Sequence, residues 1–465
     1  MRDPRREETI VAIATPPGPG AIGIVRMSGP AAVAIAHRVW RSRDKVVDNF
    51  ESHRIYYGSI VDNSTGLVVD RGLLLYFRGP HSYTGEDVIE WQVHGNPLIL
   101  DQILAVAQAE GAELAAPGEF TRRAFLNGRI DLAQAEAVAD IVAAASNAGL
   151  RQAEEQLSGR LSQQVRADLG TLTTLRAYVE ATIDFPEEDA THLDAGGILL
   201  RVTALHERLS RLAATYQAGR LVRDGARIVL TGPPNAGKSS LLNQCLGEAR
   251  ALVHHTAGTT RDTIEESLCW EGIPIRLVDT AGLRALVTTS AHDDIESLGM
   301  IRTREWIARA DLVVLVLDGH TPLDRSFFIS LPTERLIVWR NKSDLRPSWD
   351  DAELRYHLGA IAILHGSAIT GEGLEHLQRT VCTRLRGAVS HDAEGVVVTT
   401  RRHKIALDGA VDALQNGRVA LEEGRAPEFV AEHLRVASER LGEIVGVVST
   451  EALLTEIFQH FCIGK

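Results

Sequence analysis

The chain has 465 residues and a net charge of −12, from 49 Lys plus Arg against 61 Asp plus Glu. That length supports about two to four domains, and the acidic balance argues against a large nucleic-acid-binding surface while leaving room for a local arginine patch or a partner's basic face. Cys245, Cys269, Cys382 and Cys462 form no CxxC pair and have no His at zinc spacing, which excludes a disulfide frame and a zinc centre.

In chain order, residues 1–129 mix short β-prone runs (TIVAIAT, AIGIVRM, RIYYGSI, LLLYF) with turns and one helical stretch, NPLILDQILAVAQAEG, an α+β pattern. The opening MRDPRREETIVAIA is too polar for a signal peptide, and no apolar run reaches membrane length. A cytoplasmic protein with no membrane partner is therefore expected. In DVIEWQVHG, alternation puts Ile89, Trp91 and Val93 on one face and Glu90, Gln92 and His94 on the other. The polar face fits either a pocket wall or a solvated edge strand. Residues 130–224 are rich in Ala, Leu and Gln at helical spacing, with the acidic DFPEEDATHLDAGG reading as a loop. Residues 225–385 alternate buried strands with helices, and helical text returns over 386–465. Two helical stretches flanking an α/β unit predict one helical domain with the α/β domain inserted into it.

The inserted region carries the chemistry. GPPNAGKS, residues 232–239, follows the β-prone RIVLTG and precedes the helical SSLLNQCL. Its glycines let backbone N–H groups surround a β-phosphate at a helix N-terminus, Lys238 reaches the β/γ oxygens, and the Ser239 hydroxyl meets Mg²⁺. Thr260, in TAGTTRD, suits a second Mg²⁺ ligand that senses the γ-phosphate. Asp279 ends the strand IRLV, where a carboxylate can hold the Mg²⁺ shell through water, and Gly282 can offer its N–H to the γ-phosphate. Asp344, in NKSD, can accept from both guanine N1–H and the N2 amine, a donor pair that adenine lacks. Asn341 and Lys342 would brace that loop, and Ser367 with Ala368 would complete a base pocket.

Three further features bear on mechanism. Of the 49 basic residues only Lys45, Lys238, Lys342, Lys404 and Lys465 are lysines, so Lys persists at the P-loop, at NKSD and at the last position. Arg cannot replace a compact ammonium inside a tight phosphate loop. The position after DTAG, where many switch GTPases place a water-orienting Gln, is Leu283. An apolar side chain cannot orient water, which leaves Asp293, Asp294 and Glu296 as candidates. Asn235 either helps ligate a monovalent cation or serves the loop's turn chemistry.

Taken together these residues resemble the family of tRNA-modification GTPases called MnmE or TrmE. The resemblance rests on TIVAIATPPGPGAIGIVRMSGP, SYTGEDVIEWQVHG, APGEFTRRAFLNGRIDLAQAEAVADI, YVEATIDFPEED, the nucleotide motifs and the ending IFQHFCIGK. It implies an N-terminal α+β folate-binding and dimerisation domain (1–129), a discontinuous helical domain (130–224 and 386–465) and an inserted Ras-like P-loop GTPase domain (225–385). It implies a homodimer that works with an FAD-dependent partner, MnmG or GidA, as a heterotetramer on tRNA. The product is a carboxymethylaminomethyl group at carbon 5 of the wobble uridine, with a 5-formyl- or methylene-tetrahydrofolate supplying one carbon.

By motif, the resemblance assigns folate contacts to Arg26, Glu90, Arg129 and Lys465, and sets Cys462 near that site, as a reactive or a buried structural thiol. It assigns water orientation to Glu296. It draws the GTP-binding set from Asn235, Ala236, Gly237, Lys238, Ser239 and Ser240, then His254, His255, Thr256, Ala257, Gly258, Thr259 and Thr260. Asp279, Thr280, Ala281, Gly282, Asn341, Lys342, Asp344, Ser367 and Ala368 complete it. Magnesium falls to Ser239 and Thr260, and potassium to Asn235, His254, Thr256 and Thr259. The chain departs from the family pattern in Arg129 for Lys, His254 for Thr, and a longer stretch between Gly282 and Glu296. A regulatory or ribosome-assembly GTPase without one-carbon chemistry is the alternative, as is a dimer scaffold that has lost its folate.

Overall fold

The computed structural model describes residues 8–42, 49–184, 195–249, 265–280, 303–323, 331–387 and 395–465. The chain divides into two compact units, Met1–Val142 with Glu155–His192 and Ala431–Lys465, and Ala143–Glu154 with Leu193–Val430. The helical text is thus shared between the units.

In the first unit, seven strands form one sheet in the order β3-β4-β5-β6-β2-β1-β7. They are β1 (Ile10–Ile13), β2 (Gly20–Ser28), β3 (Trp40–Ser42), β4 (Arg54–Val61), β5 (Val68–Phe77), β6 (Val88–Gly95) and β7 (Glu113–Leu114). All pairs are antiparallel except β1 with β7. Helices α1 (Ala32–Val39) and α2 (Pro97–Ala109) cover one face, over Val11, Val25, Met27, Ile89 and Trp91. The start of α2 is fixed locally: Asn96 accepts from Leu98 N at 2.9 Å, and Pro97 takes the first turn where its missing N–H is not needed. The alternation in β6 holds, with Ile89, Trp91 and Val93 buried. The edge-strand reading of its polar face does not, because β6 lies between β5 and β2. Glu90 therefore faces neighbours on both sides. Helix α3 (Glu119–Leu126) follows the sheet.

Helices α4 (Leu132–Ala143), α5 (Asn147–Leu157), α6 (Arg160–Asp184), α7 (Ala195–Ala214) and α8 (Tyr216–Asp224) follow. Asp131 and Gln134 start α4 as a reciprocal box, each side chain accepting the other's backbone N–H at 3.0 Å. Most of the acidic segment read as a loop, residues 185–194, lies outside the described residues.

In the second unit a six-stranded sheet runs β13-β12-β11-β8-β10-β9. Its strands are β8 (Ala226–Thr231), β9 (Glu265–Trp270), β10 (Ile273–Asp279), β11 (Leu312–Asp318), β12 (Leu336–Asn341) and β13 (Ala362–His365). Only the β9–β10 pair is antiparallel. The central strands are apolar through their middles, as in LVVLVL of β11 and LIVW of β12, because both faces are covered, as a parallel sheet requires. One face packs under α9 (Lys238–Ala249) and α11 (Leu374–Gly387), the other under α10 (Asp351–Leu358). In the same unit α12 (Arg401–Glu422) lies against α7.

After α13 (Pro427–Val445), α14 (Glu451–Phe458) returns to the first unit and packs on α3. Leu454, Phe458 and Phe461 also cluster with Leu132 and Ala135 of α4, and Phe125 of α3 packs against that cluster. Among the described residues no helix is long and apolar enough to cross a membrane.

Candidate functional site

The P-loop occupies the turn between β8 and α9. Gly232, at φ +142°, lies so close to β11 that a Cβ there would sit 2.1 Å from Val316 O. Gly237, at φ +97°, would place a Cβ 2.1 Å from Asn341 Nδ2. Both positions demand glycine, and the backbone between them is free to turn its N–H groups inward. Lys238 is buried and folds back over the loop, donating to Gly232 O at 3.0 Å and Pro233 O at 2.7 Å. Those carbonyls hold the ammonium where a phosphate oxygen would meet it. Asn235 is exposed with φ +60°, a left-handed backbone that Asn tolerates better than most residues. Ser240, next along α9, is exposed.

Two hard oxygen groups converge below the loop: Ser239 Oγ donates to Asp279 Oδ2 at 2.6 Å. A hydroxyl and a carboxylate from different elements at that separation fit a magnesium ion that keeps part of its water shell. Thr280, the next residue, donates to Leu230 O at 2.9 Å and ties the end of β10 to β8.

Asn341 joins the P-loop to the base loops. Its Nδ2 donates to Ala236 O at 2.8 Å, and its Oδ1 accepts from Ala368 N at 2.9 Å. Trp339 Nε1 also points at Oδ1, at 3.4 Å. Lys342 has φ +62° and pairs with Asp318 Oδ2 at 2.6 Å. Burial pushes the Asp318 carboxyl up, yet the bond from Lys342, the His320 N–H and the nearby positive charge outweigh it and hold it below the ordinary value. Ser367 is buried, and its Oγ accepts from Thr370 N at 3.3 Å, which shapes the turn carrying Ala368. Asp344 is exposed. A cavity whose lining includes Gly319, Arg340, Asn341, Lys342, Ser343 and His365 opens beside these loops.

His254, His255, Thr256, Ala257, Gly258, Thr259, Thr260, Ala281, Gly282, Leu283, Asp293, Asp294 and Glu296 lie outside the described residues.

A second cluster lies in the first unit. Arg26 on β2 and Glu90 on β6 are register partners, and Arg26 Nε donates to Glu90 Oε1 at 2.8 Å. Arg26 Nη1 donates to Gly464 O at 3.3 Å, so the last residues of the chain sit against the sheet. Gly464 has φ +92° and lies so near β1 that a Cβ would fall 2.3 Å from Ile13 O. The guanidinium is 5.8 Å from the ring centroids of both Tyr83 and Phe120. Burial raises the Tyr83 phenol above its usual pKa, against the opposing pull of Thr121 and Arg26. Arg129 is exposed, with its stem beside Gly85, two residues after Tyr83. Lys465 N donates to Cys462 O at 3.3 Å, closing a turn. Cys462 is exposed, which removes the buried-thiol reading of that residue.

Sequence reasoning missed the network beneath this cluster. Arg123 is buried and donates to Glu86 Oε2 and Glu119 Oε1, both at 3.0 Å. Ser28 Oγ bonds Thr84 Oγ1 and Glu86 Oε2, both at 2.8 Å. The signal was present: Arg123 stands three residues after Phe120, on the face of α3 that is buried. Asp318 was missed too, since nothing local marks it as the partner of Lys342.

Comparison with known proteins identifies the family. Residues 9–129 match the family described as the GTP-binding protein TrmE N-terminus, and residues 132–462 match the MnmE helical domain. The tRNA modification GTPase MnmE of Geobacter sulfurreducens is 42% identical over 463 residues, covering 99% of each chain. The proteins of the same description from Azoarcus sp. and Clostridioides difficile are 43% and 40% identical, again covering 99% of each chain. Among solved structures, the cytosolic domain of the T. maritima FeoB iron transporter in a GDP form covers 50% of this chain at 21% identity, with a TM-score of 0.25. A P-loop built on Gly232 and Gly237, base loops braced by Asn341, and relatives that align from end to end lead to one conclusion: the chain belongs to the MnmE family of tRNA modification GTPases and is a GTP hydrolase of mixed α/β and helical architecture.

Proposed function

We propose that the chain is a potassium-stimulated cytoplasmic GTPase whose cycle supports folate-dependent addition of a carboxymethylaminomethyl group to carbon 5 of the tRNA wobble uridine. It acts as a homodimer with the FAD-dependent partner MnmG, and is divided into domains over 1–129, 130–224 with 386–465, and 225–385. Lys238 and the P-loop N–H groups hold the β/γ-phosphates, while Ser239, Thr260 and, through water, Asp279 carry the magnesium shell. Bound magnesium neutralises charge between the phosphates. Asp344 selects guanine, with Ser367 and Ala368 completing the base pocket. Asn235, His254, Thr256 and Thr259 form the potassium site, and Glu296 orients the attacking water.

One observation supports the folate half of this reading. The Arg26–Glu90 pair is closed by the Gly464 carbonyl, so Lys465 is delivered to a charged cluster on the N-terminal sheet. A guanidinium, a carboxylate and a terminal lysine suit a ligand with a donor–acceptor ring edge and an acidic tail, as tetrahydrofolates have. Titration calorimetry with 5-formyl-tetrahydrofolate should give binding to the full chain and a loss of about tenfold or more on deletion of Lys465. No binding to either form would favour a regulatory or ribosome-assembly GTPase instead.

A further inference from the structure

Arg340 immediately precedes Asn341 at the end of β12, and its side chain is only 11% exposed. Its guanidinium lies 4.3 Å over the Trp349 ring. Nη2 donates to Trp349 O, and Nη1 to Asp351 Oδ1 at 3.1 Å. Asp351 Oδ2 in turn meets Nε2 of His365, the register partner of Arg340 on β13, at 2.8 Å. Trp349 Nε1 donates to Asp318 O at 3.0 Å, and Asp318 grips Lys342. Arg340 thus binds the segment where the NKSD loop ends to the strand where it begins.

Between the two anchors the chain is exposed or half-exposed. Asn341 and Trp349 are buried, while Asp344 stands out on the loop between them. An exposed loop of this length wanders unless both ends are fixed, and a side chain on it is placed only as well as its anchors. A planar fork that stacks on an indole while making two directed bonds fixes position and rotation together; lysine supplies neither plane nor fork. Among the described residues the guanidinium bonds Trp349 and Asp351, so its effect passes through the loop it fastens.

We propose that Arg340 is a positioning residue for guanine selection, which fastens the ends of the 341–349 loop so that Asp344 meets the base edge in a fixed place. The inference rests on Asp344 reading that edge. It predicts that Arg340 sets discrimination against inosine nucleotides, which lack the 2-amino group, rather than the rate of phosphate release.

The test is a double-mutant cycle on the full chain with Arg340→Lys, Asp344→Ala and the pair, measuring KM and kcat for GTP and for ITP, with circular dichroism and Tm as controls. Arg340→Lys should raise the KM for GTP and lower the GTP-over-ITP preference about tenfold, with kcat within about twofold. In the Asp344→Ala background it should change the preference no further, because the two act through one contact. A fall in Tm with an unchanged GTP-over-ITP preference would overturn the proposal, as would additive effects of the two substitutions. If Asp344→Ala itself leaves the preference intact, the guanine-reading role of Asp344 falls and the proposal with it. Should Arg340→Lys not fold, Asp351→Asn weakens the same clamp at constant volume and must shift the same ratio.

Discussion

Gly237 shows how tightly one residue constrains the nucleotide site. Its φ of +97° excludes L side chains, and any Cβ would enter the amide of Asn341, the group that ties the P-loop to the base loops. Gly237→Ala therefore strains the loop and breaks its brace at once, at a cost of about 1–3 kcal/mol for the backbone alone. We expect GTP affinity to fall at least about tenfold by calorimetry while the far-ultraviolet circular dichroism stays unchanged. The Lys342–Asp318 pair makes a prediction about acid. The Asp318 carboxyl sits below its ordinary value of 3.8 in the folded chain, so the pair contributes fully above that value. Its contribution is lost only as pH falls through the lower folded value. Thermal stability between pH 5 and 7 should then be the same in Asp318→Asn and the parent apart from a constant offset, with the two curves converging below about pH 4. Melting curves across pH check both the offset and the convergence.

At the scale of elements, the clearest case is the C-terminal tail. Helix α14 and the residues just after it are anchored by Phe458 and Phe461, whose ring centroids are 5.3 Å apart, in a cluster with Leu132 and Ala135 of α4 and Phe125 of α3. The tail beyond them then turns at Gly464 to approach β1. Gly464→Ala should push the tail off the strand and release the carbonyl that Arg26 holds. Tetrahydrofolate affinity is expected to drop about tenfold, with GTP hydrolysis unaffected; equal folate affinity in both proteins would remove the tail from the site. Element assignment was largely legible. The run LVVLVL is apolar at every position up to Asp318 because β11 is covered on both faces, and the alternation of β6 marks a strand with one apolar face. What could not be read was the place of β6 inside the sheet. Its polar face looked like an edge because the partners that satisfy it, Arg26 and Asp70, come from strands 64 and 24 residues away.

At the scale of the whole molecule, the nucleotide loops belong to one compact unit and the Arg26–Glu90 cluster to the other. A ligand that binds only the folded form stabilises it by about 2.7 kcal/mol at a hundred times its Kd. Scanning calorimetry of the full chain should therefore show GTP with magnesium raising the transition of the second unit and 5-formyl-tetrahydrofolate raising that of the first. Both ligands acting on one transition would mean that the units melt together.

The sequence by itself determined the chemistry of the nucleotide loops. Gly232, Lys238, Ser239, Asn341 and Asp344 are dictated by a phosphate, a cation and a base edge, and such demands are met by short contiguous motifs. Tertiary structure alone decided which distant groups meet: Arg26 with Gly464 across 438 residues, Arg123 with Glu86, and Lys342 with Asp318. A hydrogen bond between remote segments leaves no periodicity in the chain, because its partners are brought together by the packing of sheets and helices rather than by their spacing in sequence.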